Sequence, residues 1–263
     1  MIDPSLWPLV EEQRAYLAEH GDHPADADPG LLLPVEVRNV GGVPVRILRP
    51  AQPRAVGTIV VSVDYRLIPG VSYPAPIDDG ETVALRLVRE RLFGDLPLLI
   101  GGESVGATIS MLVLLRLRDV QGLRGVFRAM NLNVGNYDFS MTPSQRQAPD
   151  HYFLSPAALR RTQATVFPGL SAEELRSPEI SSLYADVSDL PPALLSVGTA
   201  DSVLDDSLFL AARLQAAGGR AQLEVYPEAT HPFMTLPTAM AAEARRRTVM
   251  FLNAACGVKA SIS

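Results

Sequence analysis

The sequence predicts an α/β fold with a mostly parallel central sheet, flanking helices and a helical cap. Three observations support this class. Short apolar runs typical of strands alternate with longer segments whose apolar residues recur at helical spacing. A glycine-rich turn joins one of these strands to the most apolar helix. An irregular, proline-punctuated stretch at residues 138–188 interrupts the alternation, and we interpret it as an insertion that forms part of the cap.

The composition excludes several classes of protein. A chain of 263 residues, 47% hydrophobic and 20% charged, can bury a sizeable core, which excludes disorder over most of its length. A net charge of −6 without a basic stripe argues against a nucleic-acid partner. The single cysteine, Cys256, excludes an intrachain disulfide and favours a cytoplasmic protein. The first residues do not resemble a secretory signal, and no apolar run is long enough to span a membrane.

The first predicted elements follow from their apolar spacing. Residues 4–20 carry apolar side chains at helical spacing and predict an amphipathic helix. Two alternating runs on either side of Gly41 and Gly42 predict an antiparallel hairpin. The β-branched run at residues 58–63 is typical of a parallel strand that is buried on both faces.

The remaining elements continue the alternation of helices and strands. They are, in order, a helix at 79–92, a short buried strand at 98–100, a helix at 105–118, a strand at 126–132, a helical piece at 155–162, a strand at 193–197, a helix at 205–217, a strand at 221–226 and a helix at 238–254. We assign the core to residues 31–137 and 189–263. The cap then comprises an N-terminal helix and linker at 1–30 and the insertion at 138–188.

Residues 102–106 read Gly-Glu-Ser-Val-Gly, the G-x-S-x-G pattern of a nucleophile elbow. A predicted strand leads into this turn and an apolar helix leads out of it, as the elbow requires. Glycines are expected because the turn is too tight for side chains that face the neighbouring elements. Ser104 would then be exposed at the head of a helix, although its hydroxyl needs a base to become a good nucleophile. The alternative is a serine that only caps the helix.

A histidine is the expected base, because its pKa lies near the working pH. His231 follows the strand at 221–226, and loops at the carboxyl ends of parallel strands carry the chemistry of α/β sheets. His20 and His23 are expected to be solvated, and His151 to have a surface or cap role. The alternative for His231 is a loop histidine that caps a backbone group.

The acid that orients the histidine should follow another strand. Asp201 comes directly after the strand at 193–197, whereas Asp205 and Asp206 are explained by the preference of acids for helix N-termini. The alternative for Asp201 is a carboxylate that only caps backbone amides. The order of serine, aspartate and histidine along the chain is that of α/β-hydrolases.

Five segments match the pattern of one known family. They are V-S-V-D-Y-R-L-I-P at 61–69, Y-P-A-P with two aspartates at 73–79, the elbow at 102–106, G-T-A-D at 198–201 and H-P-F at 231–233. From about residue 43 to 254 the sequence resembles the hormone-sensitive-lipase-like esterases of the α/β-hydrolase fold, which include bacterial acetyl esterases and carboxylesterases.

The resemblance implies a role for each matching residue. Ser104 would be the nucleophile, His231 the base and Asp201 the acid, while the Val105 N–H would donate to the oxyanion hole. Asp64 and Arg66 look structural in such proteins, and Cys256 has no counterpart. The resemblance implies a small-molecule ester as substrate, with no cofactor and no metal, and it leaves a homodimer possible.

One part of the family pattern is absent from the sequence. The family's His-Gly-Gly-Gly loop, which supplies two oxyanion-hole amides, has no counterpart, and Gly41-Gly42 lies in the hairpin turn. The pattern breaks between Val56 and Gly57, where about 35 residues, one strand–helix unit, are expected. Either the sequence omits a segment of the physical protein, or the protein is naturally short and has lost most of its oxyanion hole.

The sequence therefore predicts a serine hydrolase that cleaves short-chain carboxylic esters through an acyl-enzyme. Two alternatives stay open. The protein could be a non-catalytic ligand-binding protein on a hydrolase scaffold, which the missing glycine loop favours. It could also be an amidase, such as a formamidase, that uses the same three residues.

Overall fold

The computed structural model describes residues 2–21, 35–49 and 58–258. Its helices are α1 (Val10–His20), α2 (Ala75–Arg89), α3 (Val105–Asp119), α4 (Pro143–Gln147), α5 (Pro156–Val166), α6 (Leu204–Ala216) and α7 (Ala239–Ala255). Its strands are β1 (Val35–Val40), β2 (Val43–Leu48), β3 (Val60–Val63), β4 (Leu98–Glu103), β5 (Phe127–Asn133), β6 (Ala193–Gly198) and β7 (Ala221–Tyr226). Most predicted elements are confirmed to within a few residues of their ends.

The strands form two sheets. The first is antiparallel, in the order β1-β2-β3, and contains the predicted hairpin. The second is parallel, in the order β4-β5-β6-β7. Helix α3 connects β4 to β5 and α6 connects β6 to β7, as the alternation predicts. The carboxyl ends of β4, β6 and β7 therefore lie at one edge of the parallel sheet.

The sequence-based descriptions of β3 and β4 as buried strands are wrong. Strand β3 runs antiparallel to β2 instead of parallel to a neighbour, and its Val60 is 49% exposed. Strand β4 is only partly buried, whereas every residue of β6 is buried. The reason is that, within the described ranges, no ladder joins β3 to β4, so each forms the edge of its sheet.

A groove separates these two edges. Cavities of about 340 and 360 Å³ are lined jointly by residues of β3 and β4, among them Val60, Val61, Leu99 and Ile100. The break that the sequence pattern predicts at Val56–Gly57 lies outside the described residues.

The main core lies between the parallel sheet and its helices. Helix α3 is apolar around most of its surface, and it is buried between β4 and β5 on one side and α2 on the other. Met111, Leu112 and Leu115 of α3 are buried with Met130 of β5 and Leu195 of β6. The helix that follows the glycine-rich turn is therefore anchored along its whole length.

The N-terminal segment packs beside the loop that follows β7. A 3₁₀ turn at Pro4–Leu9 precedes α1, and Leu6 and Val10 are buried against Phe233 and Met240. The side-chain amide of Gln13 donates to the Glu228 carbonyl at 3.1 Å. These contacts place the first turn of α1 beside the loop that carries His231.

Residues 138–188, which we predict to be an insertion, contain α4, α5 and short 3₁₀ turns at Glu174–Arg176 and Ser182–Tyr184. Its own apolar cluster includes Phe167, Leu175 and Ile180. None of the described helices has the combination of length and hydropathy that a membrane span requires.

Candidate active site

Ser104 lies in a sharp turn between β4 and α3. Its backbone angles, φ 53° and ψ −122°, are rare for a residue with a side chain, and such strain is common at functional positions. A Cβ atom on Gly102 would lie 2.3 Å from the Gly106 carbonyl carbon, so only glycine fits there. The predicted strand–turn–helix context of the elbow is confirmed.

The structure brings Ser104, Asp201 and His231 together. The His231 Nε2 atom lies 2.9 Å from the Ser104 Oγ atom, and the His231 Nδ1 atom lies 2.9 Å from the Asp201 Oδ2 atom. The side chains of His231 and Asp201 are buried. The second carboxylate oxygen of Asp201 accepts a hydrogen bond from the Val203 amide at 3.0 Å, so neither oxygen lacks a partner. One imidazole therefore bridges a hydroxyl and a carboxylate.

The loops that carry Asp201 and His231 are held together by their backbones. The Ala200 amide donates to the Ala229 carbonyl at 3.1 Å. A Cβ atom on Gly198 would lie 1.9 Å from that carbonyl oxygen, so the approach requires glycine. The loop of Asp201 and the loop of His231 therefore lie in direct backbone contact.

The helix that follows Ser104 supplies a backbone donor. Val105 is the first residue of α3, and the first N–H groups of a helix have no intrahelical acceptor. The positive end of the helix dipole also lies at this point. Next to the serine, burial raises the pKa of the Glu103 carboxyl group, while the nearby His231 lowers it by a smaller amount.

Sequence reasoning missed the role of Asp206, which it treated only as a helix N-terminal acid. The Asp206 side chain is fully buried, and burial raises its pKa to about 7 although four donors stabilise its charge. Its donors are the amides of Tyr137 and Asp138 and the side chains of Thr142 and Gln145. Asp206 thus ties the start of the insertion to α6, near Asp201.

The remaining histidines occupy different places. His20 is exposed and its ring stacks on Tyr16 with a centroid distance of 4.7 Å, whereas His23 lies outside the described residues. His151 lines a cavity next to His231, together with Phe153. Sequence reasoning missed this cavity because the insertion has no regular spacing that predicts where its side chains lie.

Arg66 and Asp64 make ion pairs outside the cluster of Ser104, Asp201 and His231. The Arg66 guanidinium donates to both carboxylate oxygens of Asp79, a buried residue of α2. Asp64 lies 3.5 Å from Arg46 of β2. These ion pairs join the segment after β3 to α2 and β2, and the structural role that the sequence resemblance implies for the two residues stays a prediction.

A family model described as the alpha/beta hydrolase fold matches residues 51–235, which is more than half of the chain. The chain belongs to the α/β-hydrolase family. This α/β-hydrolase is 35% identical over 215 residues to the carboxylesterase NlhH of Mycobacterium tuberculosis, covering 78% of this chain and 67% of that protein. It is 33% identical to the esterase LipI of the same organism, covering 62% of this chain and 52% of LipI.

Solved structures share the α/β-hydrolase fold of this chain. The esterase EstE5, soaked with p-nitrophenyl butyrate, superposes with a TM-score of 0.76 at 23% identity, covering 98% of this chain and 95% of EstE5. A hormone-sensitive lipase from a metagenome library gives a TM-score of 0.77 at 22% identity, covering 94% of this chain and 91% of the lipase. The predicted fold and the resemblance to hormone-sensitive-lipase-like esterases are confirmed.

Proposed function

We propose that this α/β-hydrolase is a serine hydrolase of short-chain carboxylic esters. The observation that carries the proposal is the His231 imidazole, whose two nitrogens lie 2.9 Å from the Ser104 hydroxyl and the Asp201 carboxylate. The similarity to the carboxylesterase NlhH and the esterase LipI supports the same activity. The cap that we assign to 1–30 and 138–188 would restrict the site to small substrates.

The geometry supports the following reaction. Asp201 accepts a hydrogen bond from Nδ1–H, which leaves Nε2 free to accept the Ser104 proton. The Ser104 oxygen attacks the ester carbonyl carbon, and the resulting imidazolium is stabilised by the Asp201 carboxylate. The tetrahedral intermediate expels the alcohol, whose oxygen takes the proton from Nε2, and an acyl-serine remains. Water then attacks the acyl group with His231 again as base, which releases the acid and regenerates Ser104.

The oxyanion of the tetrahedral intermediate needs hydrogen-bond donors. The Val105 N–H is the donor that we propose, because it is the free amide next to the nucleophile at the start of α3. Each missing donor costs about 10²–10³ in rate. A protein with this amide as its main donor would therefore be a slow esterase.

The test is the Ser104→Ala variant, assayed with p-nitrophenyl acetate and with a fluorophosphonate probe. We expect that hydrolysis and covalent labelling are both lost while the fold is kept. Ser188→Ala is a matched control, because Ser188 contacts Arg118 near the far end of α3, about 20 Å along the helix from Ser104. Full activity of Ser104→Ala would disprove the proposal.

Two observations favour a second function. The described strands form two separate sheets with a groove between β3 and β4, and only one oxyanion donor, the Val105 N–H, is proposed. The protein would then bind small ligands on a hydrolase scaffold without turning them over. Wild-type protein that is folded but neither hydrolyses esters nor reacts with the fluorophosphonate would support this function. The amidase alternative is tested by measuring the turnover of matched esters and amides. Faster turnover of the amides would support it.

We further propose a cytoplasmic homodimer. The cytoplasmic location is supported by the single cysteine of the sequence, Cys256, because proteins of the reducing cytosol rarely contain disulfides. The dimer is supported by β7, the outer strand of the parallel sheet, whose ladder partner in the described chain is β6. Light scattering on the purified protein tests the dimer, and a monomeric mass at micromolar concentration would contradict it.

A further inference from the structure

A cavity of about 220 Å³ lies beside the imidazole of His231. Its walls come from the end of α1, the residues flanking Asp201, the loop of His231 and the segment 151–154 of the insertion. The described residues that line this cavity include His231 and Phe153, whereas Ser104 is not part of the wall. The cavity therefore adjoins the base and not the nucleophile.

The position of the cavity decides which part of an ester it can hold. In the proposed reaction the acyl carbon bonds to the Ser104 oxygen, whereas the leaving oxygen takes a proton from the Nε2 atom of His231. The leaving oxygen must therefore come within hydrogen-bond distance of that nitrogen. An alcohol part that continues from this oxygen past the imidazole would reach the cavity beside His231.

The Phe153 ring lies beside the imidazole of His231 and almost parallel to it. The two rings are parallel to within 9°, with centroids 6.2 Å apart, and Phe153 is 63% exposed. The neighbouring Leu154 carbonyl accepts a hydrogen bond of 2.7 Å from the hydroxyl of Ser202, which follows Asp201. The segment that carries Phe153 is thus anchored to the loop of the acid. An exposed aromatic face in this position offers apolar contact to a ligand.

The chemistry of the wall restricts the ligand. The described residues that line the cavity include no aspartate, glutamate, lysine or arginine, and the ionisable side chains beside His231 are His151 and Tyr152. The volume is below the roughly 300–1,000 Å³ of sites for drug-sized ligands. The cavity therefore fits one uncharged ring or a short alkyl group.

We propose that this cavity is the alcohol subsite of the enzyme and that Phe153 selects esters of small, uncharged, planar alcohols. This proposal rests on the proposed ester hydrolysis. In this proposal Phe153 is a specificity-determining residue, because its ring would contact the leaving alcohol. Once the acyl-serine has formed and the alcohol has left, the ring would have no further role. Removal of the ring should therefore affect acylation and spare deacylation.

The experiment compares wild-type protein, Phe153→Ala and Phe153→Leu on two ester series. The first series keeps the acetyl group and changes the alcohol from phenol to ethanol. The second keeps p-nitrophenol and lengthens the acyl chain. Phe209→Ala is the matched control, because Phe209 of α6 is also an exposed phenylalanine, at 41%, and does not line the cavity.

For Phe153→Ala we expect the preference for phenyl over ethyl acetate, measured as the ratio of kcat/KM values, to fall about tenfold. For Phe153→Leu we expect a smaller fall in this preference. In both variants the acyl-chain profile and the deacylation rate from burst kinetics should stay unchanged. An equal loss of kcat/KM on all esters, or an altered acyl-chain profile, would overturn the assignment of the cavity as the alcohol subsite. Absence of hydrolysis and of fluorophosphonate labelling in the wild-type protein would instead disprove the proposed function itself.

Discussion

The buried carboxylate of Asp206 accepts a hydrogen bond of 2.8 Å from the backbone amide of Tyr137, 69 residues earlier in the chain. The same oxygen accepts from the Asp138 amide, and the other oxygen accepts from Thr142 and Gln145. Asp206 belongs to the first turn of α6, which begins directly after the loop of Asp201. One carboxylate therefore joins the insertion to the element that positions the proposed catalytic acid.

Asp206→Ala should destabilise the protein by about 3–5 kcal/mol, because it leaves several buried donors without an acceptor. Urea unfolding measures this loss. Asp205→Ala is the matched control: Asp205 accepts from the Ser144 amide and is only partly buried, so we expect a loss of about 1 kcal/mol. Equal losses in the two variants would contradict the role of Asp206.

The stability of the protein should also depend on pH through Asp206. Burial raises the pKa of this carboxyl group from 3.8 to about 7 in the folded protein, so the folded state binds the proton more tightly than the unfolded state. This contribution to stability is complete below pH 4 and is lost as the pH rises towards 7, by up to about 1.4 kcal/mol per pH unit. The difference in unfolding free energy between wild-type protein and Asp206→Asn should follow this trend, and a flat difference would contradict it.

Asp201→Asn should lower kcat for p-nitrophenyl acetate by about 10⁴-fold and leave the fold intact. An asparagine amide facing the His231 Nδ1 atom favours the wrong tautomer, so that Nε2 carries a proton and cannot accept one from Ser104. Asp205→Asn, four residues later, is the control and should keep most of the activity. If Asp201→Asn lost less than tenfold, Asp201 would not be the orienting acid.

The meeting of Ser104, Asp201 and His231 could be predicted from the sequence. Each residue follows a strand, and parallel strands bring their carboxyl ends to one sheet edge. Only the local signals of strands and turns were needed for this inference, because the sheet itself sets the long-range geometry.

The surroundings of these residues could not be predicted in the same way. An aspartate at a helix N-terminus looks the same in sequence whether it is solvated or, like Asp206, accepts donors from a segment more than 60 residues away. Phe153 lies in a segment without regular spacing. The burial of β3 and β4 failed as a prediction because burial depends on which strands are adjacent, and β-branched composition does not specify that.

Because β3 and β4 lie at the edges of two separate sheets, backbone amides of the edge strand β3 should exchange hydrogen faster than those of the central strand β6. Amides of β6 are bonded between β5 and β7 and are fully buried, so they should exchange only by global unfolding. Amides of β3 lie in a strand whose ladder partner in the described ranges is β2, and they should exchange about a hundredfold faster or more. Mass spectrometry of peptides from the two strands measures the difference. Equal protection would mean that the free edge of β3 is covered in solution.

Two glycines of the elbow should respond differently to substitution by alanine. A Cβ atom on Gly102 would collide with the backbone of Gly106 at 2.3 Å, and neither backbone can move without displacing Ser104. Gly102→Ala should therefore cost roughly 3 kcal/mol or more of unfolding free energy and prevent fluorophosphonate labelling.

A Cβ atom on Gly106 meets nothing within 4 Å among the described residues, and Gly106 lies in the first turn of α3. Gly106→Ala should leave stability unchanged or raise it by about 0.5–1 kcal/mol, because alanine favours the helix. Thermal unfolding of both variants gives the comparison, and a Gly102→Ala protein as stable as Gly106→Ala would show that the tight elbow does not constrain this position.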